Sequence, residues 1–129
     1  MVYIHGGGFL DGASNMHPPQ YLLERDIVLV VPQYRLGPFG FLATKTNTIP
    51  GNAGLLDVKL ALEWVQKYIT YFGGDPTRVT VFGQSAGAAI VSSLTLSPLV
   101  CAKKYPFLFC KSINQNQMIS RSVITYSIK

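Results

Sequence analysis

The pentapeptide Gly83-Gln84-Ser85-Ala86-Gly87 stands between an apolar run rich in β-branched residues, Val79-Thr80-Val81-Phe82, and a stretch of small and apolar residues ending near Leu94. This junction constrains the fold more tightly than any other part of the chain. It reads as a nucleophile elbow, in which a serine at the tip of a sharp strand-to-helix turn is held in strained backbone geometry with its hydroxyl pushed outward. The positions two before and two after such a serine lie where strand and helix pass closest. Gly83 and Gly87 leave both almost free of side chain. Ala86, Ala88, Ala89, Ile90 and Leu94 then suit a buried helix.

The rest of the chain alternates in the same manner. Val2-Tyr3-Ile4 reads as a short buried strand, broken by Gly6-Gly7-Gly8 into a loop, and a helix carrying Tyr21, Leu22 and Leu23 is expected after Pro18-Pro19. The run Ile27-Val28-Leu29-Val30-Val31 is apolar throughout, which predicts a strand buried on both faces of a parallel or mixed sheet. Residues 37–51, with Pro38 and Pro50, read as a long surface loop. Leu55, Val58, Leu62, Val65 and Ile69 then recur at steps of three and four, the spacing of one helical face, with Lys59, Glu63 and Lys67 toward solvent. Gly73-Gly74 stops that helix, and Asp75-Pro76 turns the chain into the strand at Val79. Strand and helix in alternation imply an α/β fold with a mostly parallel sheet and flanking helices.

At 129 residues, 48% hydrophobic and 13% charged, the chain is one domain at most, with enough apolar material for a core. No apolar run reaches the length of a membrane span, and the first residues lack the pattern of a signal peptide. The net charge of +5 hints at an acidic partner until it is located. Residues 1–99 balance six basic side chains (Arg25, Arg35, Lys45, Lys59, Lys67, Arg78) with six acidic ones (Asp11, Glu24, Asp26, Asp57, Glu63, Asp75). The whole excess comes from Lys103, Lys104, Lys111, Arg121 and Lys129. No nucleic-acid motif accompanies these charges, so nucleic acid is not an expected partner. Cys101 and Cys110 fit no metal or redox spacing.

His5-Gly6-Gly7-Gly8-Phe9 follows the first strand. Successive glycines leave backbone N–H groups uncovered, and two of them can converge on an oxygen that becomes negative during attack on a carbonyl. Together with the elbow, this loop supplies half of an oxyanion hole, the other half being the N–H after the nucleophile, that of Ala86. These segments, with Tyr34-Arg35-Leu36-Gly37-Pro38-Phe39-Gly40-Phe41-Leu42, Gly51-Asn52-Ala53-Gly54-Leu55-Leu56-Asp57, Ala61-Leu62-Glu63-Trp64-Val65 and Phe72-Gly73-Gly74-Asp75-Pro76, come in the order of one family. Over residues 1–99 the chain resembles the type-B carboxylesterases, the carboxylesterase and cholinesterase group of α/β-hydrolases.

The resemblance implies Ser85 as nucleophile and the amides of Gly7, Gly8 and Ala86 as oxyanion donors. Gln84 stands where the family most often has Glu, which removes a negative charge beside the nucleophile and makes Gln84 a candidate substrate-binding residue. Asp57 and Asp75 match positions that hold loops and helix ends. The resemblance also implies a small-molecule ester substrate, a secreted or extracellular parent, and neither metal nor organic cofactor. In this fold the triad runs Ser, then Glu or Asp, then His. No acid and no histidine follows Ser85 here. His5 precedes it within the oxyanion loop, and His17 precedes two prolines. The chain therefore reads as an N-terminal-half fragment, with a partial α/β-hydrolase fold over residues 1–99 and a divergent basic tail, disordered or mis-spliced, over residues 100–129. Residues 100–117 depart from the family pattern, as a translated intron or a divergent loop, and the segment from Met118 to Ile124 returns to it. Alone, such a fragment is expected to be inactive. The family also contains adhesion proteins such as neuroligins, neurotactin and glutactin, so a non-catalytic parent is the alternative.

Overall fold

In β1 (Val2–Ile4), Val2 and Ile4 are buried and Tyr3 between them is half-buried, the two-residue alternation of a strand lying on a core. The computed structural model describes residues 1–101 and 109–113. A four-residue helix, α1 (Gln20–Leu23), follows Pro18-Pro19 as expected. The apolar run at 27–31 differs from expectation. It meets β1 through one parallel bridge, Val30 to Val2, and all five residues are half-buried rather than buried on both faces. The physical reason is the brevity of its neighbour. Tyr3 N–H donates to the Val30 carbonyl and Val30 N–H to the Met1 carbonyl, each at 2.9 Å, and a three-residue strand offers little more to pair with.

Residues 37–51 also depart from a plain loop, because Gly37–Phe41 forms a short helix, α2, with Pro38 in its first turn. Proline's fixed φ and missing donor suit that position, where no intrahelical partner is needed. The periodic segment forms α3 (Ala53–Tyr68), prolonged by a 3-10 turn at Ile69–Phe72. Val58, Leu62, Val65 and Ile69 are all buried, as their spacing predicts, and Leu55 packs at the margin of the same core. Gly73, at φ 77°, caps the turn in the left-handed region.

The second strand, β2 (Thr80–Gln84), pairs in parallel with β1, Ile4 standing opposite Gly83. Then come α4 (Ala86–Leu96) and the short α5 (Pro98–Cys101). Phe109–Ile113, inside the segment expected as a divergent tail, forms β3 and pairs in parallel with β2, Thr80 opposite Phe109 through Gln84 opposite Ile113. The expectations for residues 102–108 and 114–129, including most of the intron reading, lie outside the described residues. The sheet order is β1-β2-β3.

Val2, Ile4 and Val81 share one core with Val58, Leu62 and Val65 of α3 and with Ile90, Val91 and Leu94 of α4. Both long helices therefore cover the same sheet face. Tyr3 and Phe82 alternate onto the other face, their ring centroids 5.1 Å apart, and His17 meets Tyr3 edge-on at 5.6 Å. Among the described residues no helix is long and apolar enough to cross a membrane.

Candidate active site

Because β1 and β2 are parallel and in register, their carboxyl ends finish side by side. The residues that continue from Ile4 and Gly83 must then share one small space, and this is where the chemistry-bearing segments meet. Ser85 is the single residue between β2 and α4. Its backbone lies at φ 54°, ψ −120°, outside the regions open to an L-residue without strain. Such a conformation costs about 1–3 kcal/mol and persists only where the surroundings impose it. Ser85 is exposed while Ala86, Gly87 and Ala88 beside it are buried, so the turn lifts the serine out of the packed layers.

The imposing contacts are backbone against backbone. A Cβ built on Gly87 would overlap the carbonyl oxygen of Ile4 and stand 2.6 Å from that of His5. One built on Gly83 would stand 2.5 Å from the Gly87 carbonyl carbon. The strand-to-helix crossing expected from the two glycines is therefore present, and β1 is pressed into it as well. Gly6, to which sequence reasoning gave no role of its own, lies against the elbow. A methyl there would be 2.8 Å from the Gln84 carbonyl oxygen, 2.9 Å from Gln84 Oε1 and 3.2 Å from Ser85 Cβ.

Gly7 and Gly8 continue from Gly6 through a left-handed run, φ 116° and 61°, that Phe9 extends at 65°. The Gly7 carbonyl accepts from Leu10 N–H and Asp11 N–H, both at 3.0 Å, which closes the turn. None of the hydrogen bonds formed among the described residues uses the N–H of Gly7 or Gly8. Ala86 is the first residue of α4, where a helix leaves its N–H without an intrahelical acceptor. Gln84 ends β2, half-buried, with its side-chain oxygen over Gly6.

His5 is 1% exposed and does not reach solvent as a base would. Its Nδ1 lies 2.8 Å from the Gly6 carbonyl, which can only accept, so the ring proton sits on Nδ1. The imidazole stacks on Tyr34 at 4.5 Å, and the Tyr34 hydroxyl donates to the His5 carbonyl at 2.8 Å. Burial, reinforced by the nearby Tyr3 phenol, pushes Tyr34 up to about 12. His17 is exposed at the other sheet face.

The two carboxylates expected to hold loops do so. Asp57 receives Arg35 Nε and Nη2, each at 2.7 Å, and Arg35 N–H at 3.0 Å. These bonds from Arg35 hold the Asp57 carboxyl below its usual range. Asp75 accepts from the Thr77 hydroxyl and N–H at 2.7 and 2.8 Å, fixing the turn into β2. Among the described residues no three His, Cys, Asp or Glu side chains gather as a metal site.

Residues 1–125 match the model of a family described as the carboxylesterase family. Carboxylesterase 3B of Mus musculus is 50% identical over 121 residues, covering 93% of this chain and 20% of that protein. Glutactin of Drosophila melanogaster is 46% identical over 97 residues, covering 75% of this chain and 10% of that protein. Among solved structures, juvenile hormone esterase from Manduca sexta with OTFP covalently attached superposes with a TM-score of 0.76 at 44% identity, covering 84% of this chain and 20% of that one. The chain thus spans a fifth or less of the length of these proteins.

Proposed function

This chain belongs to the carboxylesterase family of α/β-hydrolases, and from that premise we propose that it is the nucleophile-bearing part of a serine carboxylic ester hydrolase. The observation that carries the reading is the strained, exposed Ser85 at the β2–α4 junction, with the glycine loop after β1 laid against it. Ser85 Oγ attacks the ester carbonyl, its proton passing to a base, and the carbonyl oxygen takes up the negative charge. The N–H groups of Gly7, Gly8 and Ala86 receive that charge. The tetrahedral adduct collapses, the C–O bond to the alcohol breaks, and the alcohol leaves with the proton returned by the base. Water, deprotonated by the same base, then releases the acid from Ser85. Gln84, neutral beside the nucleophile, contacts the substrate.

His5 is not that base, since it is buried and its Nδ1 is committed to Gly6. No Asp, Glu or His follows Ser85 in this chain. The base and its acid come from sequence beyond these 129 residues, so the chain by itself is expected to turn over short-chain aryl esters negligibly. The test is a graft in which this chain replaces the matching 121 residues of the mouse carboxylesterase 3B. The graft is expected to hydrolyse aryl esters, and Ser85→Ala to lose activity by on the order of 10⁴-fold or more, because nucleophile and base act as one unit. A folded graft indifferent to Ser85→Ala would sink the reading. It would favour the second one, a non-catalytic adhesion protein, which the 46% identity to glutactin supports.

A further inference from the structure

The Tyr34 ring is 3% exposed, and it touches the oxyanion loop in two ways, by stacking on His5 and by donating its hydroxyl to the His5 carbonyl. That carbonyl is one of the two, with that of Ile4, against which Gly87 packs. One peptide group therefore joins three segments: the end of β1, the start of α4 and the stretch after Val30 that carries Tyr34. The next peptide is fixed from the other side, since His5 Nδ1–H donates to the Gly6 carbonyl. Gly12 closes over this arrangement so tightly that a methyl on it would stand 2.5 Å from both His5 Nδ1 and the Gly6 oxygen. With the carbonyls of His5 and Gly6 both engaged, the chain has little freedom left before Gly7.

We propose that Tyr34 and His5 are positioning residues for the oxyanion loop: the Tyr34 hydroxyl holds the His5 carbonyl, the His5 ring holds the Gly6 carbonyl, and together they present the N–H groups of Gly7 and Gly8, which bond to none of the described residues, beside Ser85. The proposal rests on the reading of Gly7 and Gly8 as oxyanion donors. It gives the buried His5 a task other than proton transfer, and it fixes the root of a glycine run that goes from the buried Gly6 through the half-buried Gly7 to the exposed Gly8. A glycine run has the largest conformational entropy to lose, and two buried hydrogen bonds at its root offset that loss.

Amide hydrogen exchange on the 129-residue chain tests the lock. Leu10 and Asp11 report it, because their N–H groups bond to the Gly7 carbonyl. Tyr34→Phe keeps the stacking ring and removes one hydrogen bond, so exchange at Leu10 and Asp11 should rise about tenfold while Val58 and Val65 of α3 stay within twofold. His5→Asn, whose amide nitrogen stands where Nδ1 does, should keep the protection, and His5→Phe should lose it. Nitrogen NMR of the wild-type His5 ring should find the proton on Nδ1. A proton on Nε2, or unchanged exchange in Tyr34→Phe and His5→Phe, overturns the lock. In the mouse carboxylesterase graft, Tyr34→Phe should lower kcat about tenfold with KM within twofold. If kcat holds in a graft that Ser85→Ala silences, the positioning role is wrong and the esterase reading stands. If Ser85→Ala changes nothing, the esterase reading itself fails, and with it the catalytic sense of the lock.

Discussion

The two ends of the sheet are built on opposite terms. At the carboxyl ends of β1 and β2, around Ser85, backbone packs on backbone, and Gly6, Gly83 and Gly87 each leave less room than a methyl group needs. At the amino ends, Met1, Asp26, Val65, Ile69, Asp75 and Arg78 line an open cavity of about 310 Å³. The same strands and the same α3 run between them, so neither composition nor fold class separates the two ends. What separates them is what each must hold. Around Ser85 a strained residue and a partly exposed loop are kept in place, which requires close backbone contact beneath them, at Gly6, Gly83 and Gly87. Around Met1 the exposed Asp26, Asp75 and Arg78 and the buried Val65 and Ile69 bound the space.

The comparison breaks first at Gly87. A valine there would drive its side chain into the carbonyls of Ile4 and His5, which are backbone and cannot swing away. Gly87→Val should destabilise the chain by roughly 3 kcal/mol or more, read as a fall in the urea midpoint. An effect under about 1 kcal/mol would mean that the Ser85 end is no tighter than the other.

A smaller effect comes from alkali. The Tyr34 phenol is raised from 10.0 to about 12, so the folded state keeps its proton where the unfolded chain gives it up. The stability this contributes is whole below pH 10 and is lost as pH rises through the folded value. Between pH 9 and 12 the loss from this group should be about 2–3 kcal/mol. Tyr34→Phe should flatten that part of the pH profile relative to wild type, read as urea midpoints at pH 9 and 12, and an unchanged slope would mean that the phenol does not carry the effect.

Ser85→Gly sharpens the comparison in the opposite direction. Glycine adopts φ 54°, ψ −120° without the clash that a side chain meets there. Relief of that strain, less the extra freedom glycine gains in the unfolded chain, should raise stability by about 1 kcal/mol. In the mouse graft the same change should remove ester hydrolysis. Stability gained where activity is lost is the expected mark of strain maintained for function. A loss of stability instead would show that the serine side chain supports the elbow.

How far these features are legible in the sequence depends on the range over which the causes act. The elbow is readable because its rule is local, with a turn so tight that positions 83 and 87 must be glycine. Helix α3 is readable because its buried face recurs every three to four residues. Helix α2 is not, since Gly37-Pro38 at a helix start has the same composition as a loop. The run at 27–31 shows that apolar residues predict extended backbone better than a ladder, whose length is set by the partner, here three residues of β1. The Tyr34 bond to His5 joins residues 29 apart, and no spacing along the chain announces it. His5 and Tyr34 are each visible inside a motif, but their contact exists only once β1 has paired with the segment beside it.

The smallest expected effect lies at the other end of the sheet, at Gly73. Like Ser85 it has a positive φ, 77°, and it closes the 3-10 turn by donating to the Ile69 and Thr70 carbonyls. Unlike Gly87, it has nothing within 4 Å of where a Cβ would go, and it borders the open cavity. Asparagine adopts the left-handed region more readily than other residues with side chains and keeps the N–H that the cap uses. Gly73→Asn should therefore change stability by less than about 1 kcal/mol, where Gly87→Val costs several times more. If both substitutions cost the same, backbone conformation rather than room decides what each position tolerates, and the contrast between the two ends reduces to which residues have positive φ.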